Sequence, residues 1–344
     1  FYGNLEEALM SHPLYINDYK STVNLSDFQI ESINIMLSDI DNNILILKDN
    51  NCLCRNDNSK NDILLSEKDR YGIPVNNMIC SKCGLIRSEK IFDEKSNILF
   101  YQKYYRNIYV GLNKPNNQFF EDQIKRGEAF ISLIKKHINL NDIKNVLEIG
   151  CGSGGIIYPF NELNISCRGI DYNEEYLEYG RLKGLSLISG DYKNTIQDNS
   201  TDLLILSHVM EHFTNPIKEM VEVIKKINHD KYLLVEVPGI FFIKKIYFDP
   251  ILYFQNAHVI NYYHYYLTIF FKKLGLEVMY GDERCIFLLK KYKNWTAPTI
   301  DCIYDESMSN YPVIINKYIR NTYLQYKYYL NPYLWKYNFL KRIS

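Results

Sequence analysis

The sequence predicts an α/β fold: a largely parallel sheet with helices on both faces, preceded by a helical arm and a small cysteine-rich module. Three observations carry that expectation. From Asn145 onward, short apolar runs alternate with amphipathic ones, the rhythm of strand and helix in succession. The first run, Val146-Leu147-Glu148-Ile149, passes straight into Gly150-Cys151-Gly152-Ser153-Gly154-Gly155, a buried strand feeding a glycine-rich bend. Ahead of it, Cys52, Cys54, Cys80 and Cys83 gather in a small, loop-rich segment with little core of its own.

Element by element, the pattern predicts strands near 145–149, 165–170, 185–188, 202–206, 231–237, 276–280 and 284–290. Helices are expected over 118–138, 173–183, 216–228 and 262–274, and Pro159 should shorten or bend the first helix after the glycines. Near the start, Ser26-Asp27-Phe28-Gln29 has the form of a capping box, with Ile30, Ile33, Leu37 and Ile40 following at helical spacing. The chain thus divides into a helical arm (1–43), a cysteine module with an aromatic linker (44–115), the α/β domain (116–290) and a Tyr-rich basic extension (291–344).

Lys plus Arg and Asp plus Glu number 40 each, so no global field draws the chain to nucleic acid. No apolar run approaches the roughly 18 residues of a membrane span, and no signal peptide is visible. The 31 tyrosines, with many Asn, Ile and Lys, read as coding bias rather than chemistry. Of eight cysteines, four cluster and the others scatter, which favours metal ligation in a reducing compartment over a disulfide framework. Cys80-Ser81-Lys82-Cys83-Gly84 is a knuckle: two thiolates spaced to grip one ion, then a glycine for the tight turn. With Cys52 and Cys54 it makes a four-thiolate set suited to structural zinc, although the first pair, C-x-C, is tighter than the usual C-x2-C.

The glycine bend lets backbone turn sharply and a ligand approach closely. Asp171 closes the next apolar run, 21 residues beyond Gly150, where an acid can accept hydrogen bonds from a ribose diol. Together, Glu148-Ile149-Gly150-Cys151-Gly152-Ser153-Gly154 resembles the E/D-x-G-x-G-x-G loop of class I S-adenosylmethionine-dependent methyltransferases. That resemblance implies a Rossmann-like sheet of seven strands with the last hairpin antiparallel. It also implies cofactor contacts from Glu148, Gly150, Gly152, Gly154 and Asp171 with Tyr172. Asp191 and Tyr192 should meet the adenine, and Ser207 and His208 the methionine part. The segment Asp69-Arg70-Tyr71-Gly72-Ile73-Pro74, the knuckle, and Tyr101 to Gly111 are similar to the zinc-binding front end of bacterial methyltransferases that modify sugars and surface polysaccharides.

Methyl transfer needs positioning above all, and a hydroxyl acceptor also benefits from a general base, commonly His. His208-Val209-Met210-Glu211-His212-Phe213-Thr214-Asn215-Pro216 resembles the family's H-x-x-E-H-x-x-x-P signature. His212 has a buttressing and a catalytic reading there. His258, in an aromatic stretch after the Val237-Pro238-Gly239 turn, is the favoured base. Glu211 and His212 lack an H-E-x-x-H frame and a visible third ligand, which argues against a catalytic metal. Tyr101, Tyr104, Tyr105 and Tyr109 are expected to pack as a stripe or to close as a lid, with Arg106 pairing the cofactor's carboxylate.

The expected function is O-methylation of a sugar or glycan, with a carbohydrate or nucleotide sugar as partner, in the cytoplasm or at the membrane's inner face. Three alternatives stand beside it: C-methylation of a nucleotide-linked keto sugar, a zinc-containing RNA methyltransferase, and a cofactor-binding regulator without catalysis. Residues 290–344 carry nine Lys or Arg, three acids and thirteen aromatics. Tyr318, Tyr323, Tyr326, Tyr329 and Tyr333 share one helical side, for packing on the body or on a second copy, with peripheral membrane contact as the alternative.

Overall fold

The structure is a computed structural model and describes residues 12–111 and 115–329. Tyr333, the rest of 330–344 and the first eleven residues of the arm lie outside the described residues.

Five strands precede the one that feeds the glycine bend: β1 Leu47–Asp49, β2 Ile63–Lys68, β3 Pro74–Ile79, β4 Ile86–Ser88 and β5 Lys90–Phe92. Eight follow from there: β6 Asn145–Ile149, β7 Ser166–Asp171, β8 Ser186–Ser189, β9 Thr201–Ser207, β10 Ile227–Glu236, β11 Ile260–Asn261, β12 Leu276–Gly281 and β13 Ile286–Lys291. Seven of them form one sheet in the order β12-β13-β10-β9-β6-β7-β8. Each predicted strand of that sheet is present within a few residues. β13 runs antiparallel to both its neighbours, and β6 through β10 pair in parallel.

Helices cover both faces, so the central strands read as continuous apolar runs. All seven residues of β9 are buried, and Leu203, Leu204, Ile205 and Leu206 are fully so. Each such side chain contributes about 1.5–3 kcal/mol of burial. The reversal of strand order on either side of β6 and β9 opens a crevice at their C-terminal ends, where open α/β sheets bind ligands. Pro159 stands at the start of a helix of only five residues, Tyr158–Glu162, in line with the expected shortening.

Two expectations need correcting. The first described helix, Asp27–Asp41, has its Ser26–Gln29 capping box, but the residues it buries are Ser32, Ile33 and Met36, while Ile30 is exposed. The helix predicted over 118–138 is Asn117–Ile134, and the last residues turn back toward β6.

The cysteine module is not a separate appendage. Its sheet has the order β11-β4-β3-β2, and β11 comes from the segment after β10. The catalytic domain therefore supplies the module's edge strand. The helix Tyr311–Tyr329 lies on the same segment: Ile315 and Ile319 are fully buried, Tyr311 stacks on Tyr263 at 4.5 Å, and the Tyr318 hydroxyl donates to the Phe241 carbonyl at 2.8 Å.

Candidate active site

β6 ends at the bend, where Gly150, Gly152 and Gly154 have φ of +72°, +55° and +75°, angles a side chain resists. Gly150 and Cys151 both donate to the Ile170 carbonyl on β7, which ties the bend to the neighbouring strand. Close packing holds it from outside as well. A Cβ on Gly180 would stand 2.2 Å from the Ser153 carbonyl oxygen, and one on Gly127 2.2 Å from that of Ile156. Neither glycine belongs to the sequence motif.

Asp171 sits at the end of β7 facing the bend. Its Oδ2 accepts from the Gly152 N–H at 2.8 Å and from Arg106 Nη2 at 3.1 Å, and its Oδ1 accepts from the Asn173 N–H at 2.9 Å. Arg106 thus pairs with Asp171, with its guanidinium 4.5 Å from the Tyr176 ring centre. Tyr172 is half exposed beside it. Asp191 caps the short helix that follows β8 by accepting from the Lys193 N–H. Tyr192 is buried, and its hydroxyl donates to Glu219 at 2.9 Å, so Tyr172 is the ring left open on this side.

The bend fits a polar ligand passing close to it. Among the described residues, Glu148 Oε2 and Ser153 Oγ are buried without a hydrogen-bond partner, and a Cβ at Gly152 would meet nothing nearer than Arg106 Nη2 at 3.5 Å. Burial, with Asp171 nearby, holds the Glu148 carboxyl well above the ordinary range.

Past β9, Ser207 Oγ donates to Glu236 Oε2 at 2.7 Å, and Arg126 reaches the same carboxylate at 3.4 Å. Neither Arg126 nor Glu236 stood out in the sequence. Their only signal is position, one on the helix facing the bend and the other at the end of the fifth strand of the sheet. His208 has φ +56°, a strained value for a side-chain-bearing residue, and its Nδ1 lies 3.2 Å from Glu211 Oε1. Burial would lower its pKa, but Glu211 and Glu236 outweigh that and leave it raised.

Glu211 is almost fully buried with three imidazoles around it. Burial acts to raise its pKa, yet the His208 hydrogen bond and the charges of His212 and His258 bring it down to about 2. His212 Nδ1 is 2.8 Å from the Ala257 carbonyl oxygen, and the His212 and His258 rings are 5.2 Å apart. His258 Nε2 lies 4.0 Å from Glu211 Oε1. Burial lowers the pKa of both rings, that of His258 to about 3. Sequence reasoning saw no third donor beside Glu211 and His212; the fold brings one from 46 residues away, His258.

The Tyr105–Tyr109 helix closes the other side. Tyr101, Tyr105 and Tyr109 follow one another with their rings tilted at 5.1 and 5.2 Å, and Tyr101 and Tyr105 meet the His212 ring edge-on at 5.8 and 5.4 Å. Tyr104 turns away into a core with Phe100 and Ile108.

The four module cysteines converge. Cys52 and Cys83 sulfurs are 3.5 Å apart; those of Cys54 lie 3.4 Å from both Cys52 and Cys80. All four are buried and none is in a disulfide. A tetrahedral zinc with sulfurs at about 2.3 Å spaces them roughly 3.8 Å apart, so the set fits that ion with slight expansion.

A largely parallel sheet ending in this bend, with an acid on the adjacent strand, is an open α/β architecture whose ligand crevice lies at the C-terminal strand ends. Residues 117–280 match the family model described as a methyltransferase domain. This part of the chain is a methyltransferase domain built on the seven-stranded sheet described above, and the protein is an enzyme that transfers a methyl group. Similar solved structures include an S-adenosylmethionine-dependent methyltransferase from Methanosarcina mazei, 17% identical over 46% of this chain and 97% of that one, TM-score 0.38. Others come from Archaeoglobus fulgidus (20%, 60% and 93%, TM-score 0.37) and Aquifex aeolicus (15%, 52% and 98%, TM-score 0.37). No curated protein matches the chain.

Proposed function

We propose that the enzyme methylates a hydroxyl group of a carbohydrate or nucleotide sugar. The observation that carries this reading is the juxtaposition beyond the cofactor bend: the Glu211–His212–His258 cluster with the Tyr101–Tyr105–Tyr109 stripe edge-on against it. Aromatic rings offer flat apolar faces for sugar rings, and the cluster offers a carboxylate and neutral imidazoles for a polarised hydroxyl.

S-adenosylmethionine, when bound, supplies a methyl group made electrophilic by its sulfonium. Asp171 would hold the ribose hydroxyls with the lone pairs left beside the Gly152 and Asn173 N–H groups. Asp191 would take the adenine amine, with Tyr172 alongside, and the glycine bend, Ser207 and His208 would border the methionine part. The acceptor hydroxyl would lie against the Glu211–His212–His258 cluster and give its proton to a neutral imidazole there as the oxygen takes the methyl group, with the Glu211 carboxylate stabilising the imidazolium. The four cysteines would hold structural zinc. That ion would brace β4, which pairs with β11 just after His258.

The test is methyl uptake from labelled S-adenosylmethionine across a panel of nucleotide sugars and glycans, with mass and linkage analysis of products. An O-methylated sugar is expected. Methyl on sugar carbon would replace this reading with C-methylation. Uptake by RNA alone, falling with salt, would refute a carbohydrate acceptor.

A further inference from the structure

We propose that Glu211, His212 and His258 form a binding site for a divalent transition-metal cation, separate from the cysteine cluster, at the acceptor end of the cofactor bend. Each residue offers one ligand atom, all within 4.8 Å of one another, and all three residues are more than nine-tenths buried. A cation about 2.1 Å from each atom would draw them together by small side-chain movements.

Two further observations point to a ligand. Among the described residues, Glu211 Oε2 and His258 Nδ1 are buried with no hydrogen-bond partner, an arrangement that costs free energy unless another group satisfies them. His212 is also oriented as a ligand. The Ala257 carbonyl, 2.8 Å from Nδ1, can only accept, so Nδ1 carries the hydrogen and Nε2 the lone pair. A carbonyl fixing the outer nitrogen is the usual second contact of a metal-bound imidazole. The third ligand is held from the module side: the Val259 carbonyl accepts from the Ser88 N–H at 3.1 Å, and Asn50 and Ser88 Oγ crowd the same turn.

The donor chemistry selects the ion. Two imidazoles and one carboxylate suit Mn2+, Fe2+, Co2+ or Zn2+, whereas Mg2+ and Ca2+ favour all-oxygen sets. Three protein ligands leave coordination positions open, the mark of sites that bind substrate rather than staple the fold. Resting on the carbohydrate reading above, those positions would take acceptor oxygens, and a vicinal diol matches two adjacent positions.

The test uses the full chain with its cysteine cluster loaded with zinc. Mn2+ binding is followed by electron paramagnetic resonance and Co2+ binding by absorption, each alongside calorimetry with S-adenosylhomocysteine to establish folding. One equivalent of Mn2+ or Co2+ per chain is expected, without thiolate-to-cobalt charge transfer. Glu211→Gln and His258→Gln should each weaken it at least tenfold, His229→Gln should not, and S-adenosylhomocysteine binding should persist throughout. Failure of both ions to bind, or binding that survives both substitutions, would overturn the site. The two proposals fail separately. A chain that binds Mn2+ here yet methylates no carbohydrate keeps the site and loses the acceptor; one that methylates sugar fully without binding either ion keeps the acceptor and loses the site.

Discussion

Gly180 offers the sharpest test of how the cofactor bend is held. It lies near the end of the helix Glu174–Arg181, and a Cβ there would stand 2.2 Å from the Ser153 carbonyl oxygen and 2.4 Å from Leu187 Cδ1. Ordinary contact begins at 3.4 Å, so the methyl group is about 1.2 Å too close to a backbone atom. The leucine tip can rotate away. The carbonyl cannot move without taking Gly152 and Gly154 with it. In an unconstrained helix Gly→Ala stabilises by up to about 1 kcal/mol, whereas overpacking costs about 1–3 kcal/mol. Because backbone is struck, the upper end applies, and a net loss of about 1–2 kcal/mol is expected for Gly180→Ala. Strain relieved by displacing the bend should weaken S-adenosylhomocysteine binding roughly tenfold, each tenfold being about 1.4 kcal/mol. Calorimetry and urea unfolding measure the two quantities. Unchanged affinity with increased stability would show that the helix does not brace the bend.

Other expectations follow from single contacts. Asp171→Ala removes the acceptor of the Gly152 N–H and the partner of Arg106, so S-adenosylhomocysteine affinity should fall beyond calorimetric detection while the fold persists by circular dichroism. Asp69, fully buried, accepts from the Tyr71, Ile73 and Asn256 N–H groups, and burial raises its pKa from 3.8 to about 6. Below pH 3.8 it is protonated folded and unfolded; as pH climbs to about 6 the unfolded chain gives up the proton first, so stability is lost across that window. The loss is on the order of 3 kcal/mol, and Asp69→Asn should flatten the urea-unfolding pH profile there; parallel profiles would contradict it. Cys80→Ser should lower zinc content by one equivalent and destabilise the chain, since such ligation contributes on the order of 10 kcal/mol. Zinc content equal to wild type would remove the cluster from metal binding. For His258→Gln, methyl transfer should fall at least tenfold with S-adenosylhomocysteine affinity within twofold of wild type.

The strands and the bend were legible because their signals are local. An apolar run such as Leu203–Leu206 and the glycines at 150, 152 and 154 declare themselves to any reader of neighbouring residues. The arm misled for a related reason: periodicity shows that one side of a helix is apolar, but the partner chooses Met36 over Ile30. Glycines 127 and 180 carry no motif at all. Each matters for the backbone it lets approach, and that backbone is remote in sequence.

The sequence by itself determined the sheet, the cofactor bend with its acid, and the four-cysteine set, because strand, turn and thiolate spacing are properties of short segments. Only the tertiary structure decided what stands around Glu211, which side of Arg106 faces an acid, and that β11 completes the cysteine module's sheet. Those arrangements arise when connections of tens of residues bring chain ends of different strands to one sheet edge. The closeness of His258 to Glu211 follows from strand order and a returning segment, and no pattern of adjacent residues encodes it.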